Sequence, residues 1–113
     1  MKKGERNIER CLKYFDFFCK KDLNSLENIF SDEIILRDWE IHEEGKSNVL
    51  LANKRIFDSV ESIDIEPINI YSEGNTVIAE LQITINNSIV ELIVDVISFD
   101  DDKNIINIRA YKG

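Results

Sequence analysis

Asp95 is the residue most out of place in this chain of 113 residues. It stands between Val94 and Val96 in the apolar run Ile89 to Phe99, on the face it shares with Ile93 and Ile97. A carboxylate in such a strand must find a partner or give up its charge, with its pKa raised. A neutral acid at this point could donate a hydrogen bond to an oxyanion or shuttle a proton. The structural alternative is an ion pair with an arginine on a neighbouring strand, and Arg109 is the candidate for it.

Asp38 is the second carboxylate of interest. It closes the alternating segment Glu33 to Trp39, on the face of Ile34 and Leu36, just before a loop. A strand end beside a sheet mouth suits a general base, and it equally suits an aspartate that caps a helix or builds a turn. Tyr14 falls at the edge of a helical apolar arc, where its ring reaches the core and its hydroxyl reaches a boundary. His42 lies alone in a polar loop and reads as a surface residue before a catalytic one. Asp100, Asp101 and Asp102 read as a solvated turn, because they lack the ligand spacing of a calcium loop.

The elements that must position these groups follow from periodicity. Ile8, Cys11, Leu12, Phe15, Phe18 and Cys19 recur at helical spacing and predict a first helix over residues 8–20. Asp22 suits the N-cap of a short second helix that carries Leu23, Leu26, Ile29 and Phe30 inward. A short strand over 33–39 follows, then a loop over 42–46 with Gly45 for its turn. Ser47 can cap a third helix with Val49, Ala52, Ile56, Phe57 and Val60 on its buried stripe. From Ser62 the period changes to two. Strands are expected over 64–71, with Pro67 marking an edge or a bulge, and over 76–85, 89–99 and 105–111. The turns between them fall at Glu73-Gly74-Asn75, Asn86-Asn87-Ser88 and Asp100 to Asn104. Helices first and hairpin-linked strands after give one α+β domain with the helices on one face of an antiparallel sheet. The strand over 89–99 is apolar on both faces, with Val90, Leu92, Val94 and Val96 opposite Ile93, Ile97 and Phe99. The helices cover one face, and a partner subunit is expected on the other.

Composition excludes several function classes. Hydrophobic residues make up 43% and charged residues 32%, which fits a soluble globular chain. A net charge of −8 without a basic stripe argues against nucleic acid and against an anionic membrane. No apolar run approaches a membrane span, and the charged N-terminus lacks a signal-peptide core, so a cytoplasmic location is expected. Cys11 and Cys19 sit ~12 Å apart along one helix. That is too far for a disulfide, and with one histidine a Cys/His zinc site is not expected.

The segment from Tyr14 through Lys21-Asp22-Leu23, Leu26 and Ile29-Phe30-Ser31-Asp32 to Asp38 resembles the opening of the nuclear transport factor 2-like superfamily. The stretch Val94 to Asp100, with Ile106 and Ile108 to Tyr111, resembles its last two strands. Within the superfamily the chain is similar to the ketosteroid isomerase and SnoaL-like polyketide cyclase branches. The resemblance implies a cone-shaped (cystatin-like) fold, with three N-terminal helices packed on a curved antiparallel sheet whose open end admits a hydrophobic ligand. It also implies a homodimer through the convex sheet face. By motif, Tyr14 falls on an oxyanion-binding tyrosine, Asp38 on the base that moves a proton alpha to a carbonyl, and Asp95 on an acid kept neutral. No metal or organic cofactor is implied. Relatives often carry proline and a glycine-containing loop after the base, where this chain has Trp39-Glu40-Ile41-His42. Trp39 could narrow the entrance or lie on the outer face. The competing expectations are a non-catalytic ligand-binding protein of the same fold, and an assembly module whose cone is filled with side chains.

Overall fold

The computed structural model describes residues 3–113. Helix α1 spans Lys3–Cys19 and α2 spans Leu23–Ile29. Asp22 caps α2 as its sequence position predicts, with its carboxylate accepting from the Ser25 backbone N–H at 3.1 Å. Strand β1 (Phe30–Arg37) runs directly out of α2, and α3 covers Lys46–Ser59. The remaining strands are β3 (Ile63–Glu73), β4 (Thr76–Ile85), β5 (Ile89–Phe99) and β6 (Ile105–Lys112).

Two departures from the sequence reading concern the start of the sheet. The expected loop at His42 contains a short strand, β2 (His42–Glu44), which pairs antiparallel with β1. Three polar residues give no alternating apolar signal, so the pairing is set by the turn before them. The cap of α3 is Gly45, not Ser47. Gly45 has φ +89°, and no side chain caps the helix. A left-handed turn is free for glycine and leaves no register for Ser47 outside the helix.

The six strands form one sheet in the order β2-β1-β6-β5-β4-β3. The sheet is mixed, not purely antiparallel, because β1 and β6 pair in parallel. These strands lie towards opposite ends of the chain, and so long a connection leaves their relative direction free. The hairpins β3–β4–β5–β6 are antiparallel, as alternation and turn residues predict. Asn86 and Asn87 have φ of 53° and 60°, the left-handed pair that a tight hairpin needs. β3 is an edge strand, and its register shifts between Pro67 and Asn69, so Pro67 marks both an edge and a bulge. Asp100 closes the last turn by accepting from the backbone of Asp102 and Asn104.

The helices pack on one face of the sheet. Their buried residues Cys11, Phe15, Phe18, Leu26, Val49 and Phe57 meet Val77, Leu81 and Ile97 from the strands. Phe18 and Phe57 join α1 to α3 edge to face, with ring centroids 4.7 Å apart. The buried stripe of α1 is Asn7, Cys11, Tyr14, Phe15 and Phe18. Tyr14 therefore lies within the stripe, not at its edge, and Leu12 is exposed. A reading by hydrophobicity alone passes over the polar members of that stripe, Asn7 and Tyr14. Cys11 is buried and Cys19 half-buried, and neither is in a disulfide. No helix among the described residues is long and apolar enough to cross a membrane.

Candidate active site

Asp95 sits in the middle of β5 and faces the helices with Ile93 and Ile97. Its cross-strand neighbours are Ala79 on β4 and Ala110 on β6. Two alanines leave the space around the carboxyl open, where larger residues would have closed over it. Arg109 is opposite Val96 on β6, so it projects from the other side of the sheet. There it joins Ile35, Arg37, His42 and Asn107. The sequence alternative of an Asp95–Arg109 ion pair is therefore corrected by the one-residue register that separates the two faces.

The space in front of Asp95 is a cavity of about 220 Å³, so the room between helices and sheet is not filled with side chains. Tyr14 from α1, Asp38 from the end of β1 and Asp95 from β5 all line it. Its walls are otherwise mostly apolar, with Ile56, Ile63, Ile65, Ile83 and Ile93 among them. Asp95 is 8% exposed. Burial pushes its carboxyl up to about 7, and the negative charge of Asp38 adds to the rise. Among the described residues no cation and no hydrogen bond counters that rise. The buried Tyr14 hydroxyl is also pushed well above its ordinary value, first by burial, then by the charges of Asp95 and Cys11. At neutral pH it remains a hydrogen-bond donor.

Asp38 is held by a turn of its own making. Its Oδ1 accepts from the backbone N–H groups of Glu40 at 2.7 Å and Ile41 at 2.6 Å. Its own N–H donates to the Ile41 carbonyl at 2.9 Å. This Asx turn folds β1 back into β2. The turn role and the cavity position coexist, because only Oδ1 is used and Oδ2 is left over. Trp39 resolves its two expectations in a similar way. Its ring stands at the cavity rim, half-exposed, and lies 5.4 Å from the Lys112 ammonium. His42 is exposed beside Glu44, at 3.5 Å, away from the cavity.

Asn53 lines the cavity too, and the sequence reading missed it. It is 2% exposed, and its Nδ2 has no hydrogen-bond partner. The signal was its position four residues after Val49 and four before Phe57, on the buried stripe of α3. The arrangement as a whole is an apolar chamber with hydrogen-bond donors on one side and a fixed carboxylate at the mouth. Such a chamber can bind a small apolar molecule and move a proton on it.

Comparison with solved structures identifies the architecture. An NTF2-like protein from Cytophaga hutchinsonii superposes with a TM-score of 0.80 at 11% identity, over 95% of this chain and 89% of its own. The fold is the NTF2-like fold. An LEH-like epoxide hydrolase of M. tuberculosis matches with a TM-score of 0.86 at 14% identity, over 99% of this chain and 86% of its own. A SnoaL-like protein from Burkholderia thailandensis matches with a TM-score of 0.83 at 14% identity, over 93% of this chain and 92% of its own. No protein-family model and no curated protein sequence matches the chain. The likeness to NTF2-like proteins is thus one of fold, and its neighbours include both enzymes and proteins whose function is not established.

Proposed function

We propose that the cavity binds a small apolar carbonyl compound and that the protein moves a proton at the carbon alpha to that carbonyl. Asp38 takes the proton on Oδ2. Tyr14 and uncharged Asp95 donate hydrogen bonds to the oxygen of the enolate that forms, and Asp38 returns the proton to the same or a conjugated carbon. The observation that carries this reading is that Tyr14, Asp38 and Asp95 line one mostly apolar cavity, in which no basic side chain of the described residues takes part. The test is to incubate the protein with a panel of small cyclic unsaturated ketones in deuterium oxide and follow their alpha protons by NMR. Exchange faster than in buffer, and lost in Asp38→Asn, is expected. Exchange at the buffer rate across the panel contradicts the reading.

A second reading keeps the ligand and drops the turnover. It is favoured by the two backbone N–H groups on Asp38 Oδ1, which give that aspartate a structural purpose without chemistry. Saturable binding of the same ketones without exchange supports this reading over the first.

The protein acts in either case as a homodimer in the cytoplasm. The outer sheet face supports the dimer, because Tyr71, Ile78, Val90, Leu92 and Tyr111 are exposed there. An apolar patch of this kind on a sheet face is stabilised by a second copy that excludes water from it.

A further inference from the structure

The charged residues of the cavity are all of one sign. Asp38, Glu40, Glu91 and Asp95 line it, and among the described residues no lysine, arginine or histidine does. Acids at a rim alone would only be a solvated edge. Here they surround a chamber whose inner wall carries Asp95, nine-tenths buried and facing the cavity, with no cation or hydrogen-bond partner among the described residues. The rim also shows what kind of group suits it. The Lys112 ammonium lies 3.1 Å from Glu91 Oε1 and 5.4 Å from the Trp39 ring, between a carboxylate and an aromatic face. That is the environment in which an ammonium is bound by charge and by cation–π attraction together. Glu40 lines the cavity beside Trp39, so a carboxylate and an aromatic ring occur together at the mouth a second time. An anion approaching the same mouth meets the Asp38 and Glu40 carboxylates, with Glu91 already paired to Lys112, and the −8 charge of the chain behind them.

We infer that the cavity selects ligands that carry a protonated amine beside their apolar body, with the ammonium held at the mouth by Glu40 and the Trp39 ring, and that it rejects anionic ligands. The inference rests on the cavity being the ligand site of the proposed function and does not depend on turnover. It narrows the substrate class to apolar amino ketones, with the carbonyl inward towards Asp95 and Tyr14 and the amine outward.

Three probes with one apolar body separate the possibilities: phenylbutylamine, phenylbutanol and phenylbutanoate, titrated by calorimetry and by amide NMR. The amine is expected to bind about tenfold more tightly than the alcohol, and the carboxylate more weakly than either. Glu40→Gln is expected to weaken the amine by roughly threefold and leave the alcohol unchanged, and salt at about 0.5 M is expected to narrow the gap. An amine no tighter than the alcohol, or a carboxylate that matches the amine, overturns the charge selection while leaving the cavity as a ligand site. Failure of all three to perturb amides around the cavity overturns both this inference and the ligand site of the proposed function.

Discussion

Asp95 and Arg109 lie on adjacent strands and on opposite faces of the sheet. Asp95 is paired with Ala110, and Arg109 with Val96. One residue of register thus removes the cation that would have made Asp95 an ordinary buried ion pair. What remains is a carboxyl flanked by Ala79 and Ala110, facing a cavity with Tyr14 and Asp38. The central claim of this account is that Asp95 keeps its proton far above the ordinary carboxylate range, up to about pH 7, and in that form is poised to donate a hydrogen bond.

Asp38→Asn separates the two purposes of that residue. The asparagine Oδ1 still accepts from the Glu40 and Ile41 N–H groups, so the turn survives. The base is gone. Proton exchange on a turned-over ketone is expected to fall by roughly 10²-fold or more while ligand affinity holds. Unchanged exchange removes Asp38 from the mechanism.

Tyr14→Phe removes an oxyanion donor that makes no hydrogen bond within the protein. A loss of about 10²-fold in kcat is expected, because that hydrogen bond forms only as charge develops on the ligand. Denaturant midpoints are expected to stay nearly the same, since the hydroxyl faces the cavity and its removal leaves no protein group unsatisfied. A large fall in stability would show that the hydroxyl has a structural partner.

The raised pKa of Asp95 makes stability depend on pH, with a definite sign. The folded value is about 7 and the ordinary value 3.8. The folded state therefore binds the proton more tightly than the unfolded state. The resulting stabilisation is fully present below about pH 4 and is lost as pH rises through about 7, a change on the order of 4 kcal/mol. Asp95→Asn, which resembles the neutral acid, is expected to lose this component, so the variant gains on the wild type as pH rises from 5 to 8, by roughly 2.6 kcal/mol, the part of the change that falls in that window. Parallel unfolding curves across that range would contradict it.

Leu92 is exposed at the centre of the outer sheet face. Leu92→Glu places a charge in the proposed dimer contact and is expected to give monomers in sedimentation at micromolar concentration, where the wild type sediments as a dimer. A monomeric wild type removes the dimer from the account.

Much of this fold was legible because its signals are local. Val77 and Thr76 to Ile85 alternate cleanly, and Asn86-Asn87 sit where a hairpin needs left-handed residues, so β4 and β5 match their expected bounds. The face occupied by Asp95 followed from the same period. What escaped was decided by contacts distant in sequence or by polar residues. The parallel pairing of β1 with β6 leaves no trace in either strand alone. β2 is made of His42, Glu43 and Glu44, and its pairing comes from the Asp38 turn. Tyr14 and Asn53 were underrated because polar residues on a buried helical stripe break the apolar pattern, although a cavity is where such residues belong.

The most direct test is the titration of the Asp95 side-chain carboxyl, followed by carbon-13 NMR with Asp95→Asn to assign the signal. The account predicts a midpoint near 7, moved downward in Asp38→Asn because the neighbouring negative charge is gone. A midpoint at or below the ordinary value of 3.8 would mean that Asp95 is a charged, partnered carboxylate, and the oxyanion role assigned to it would fail.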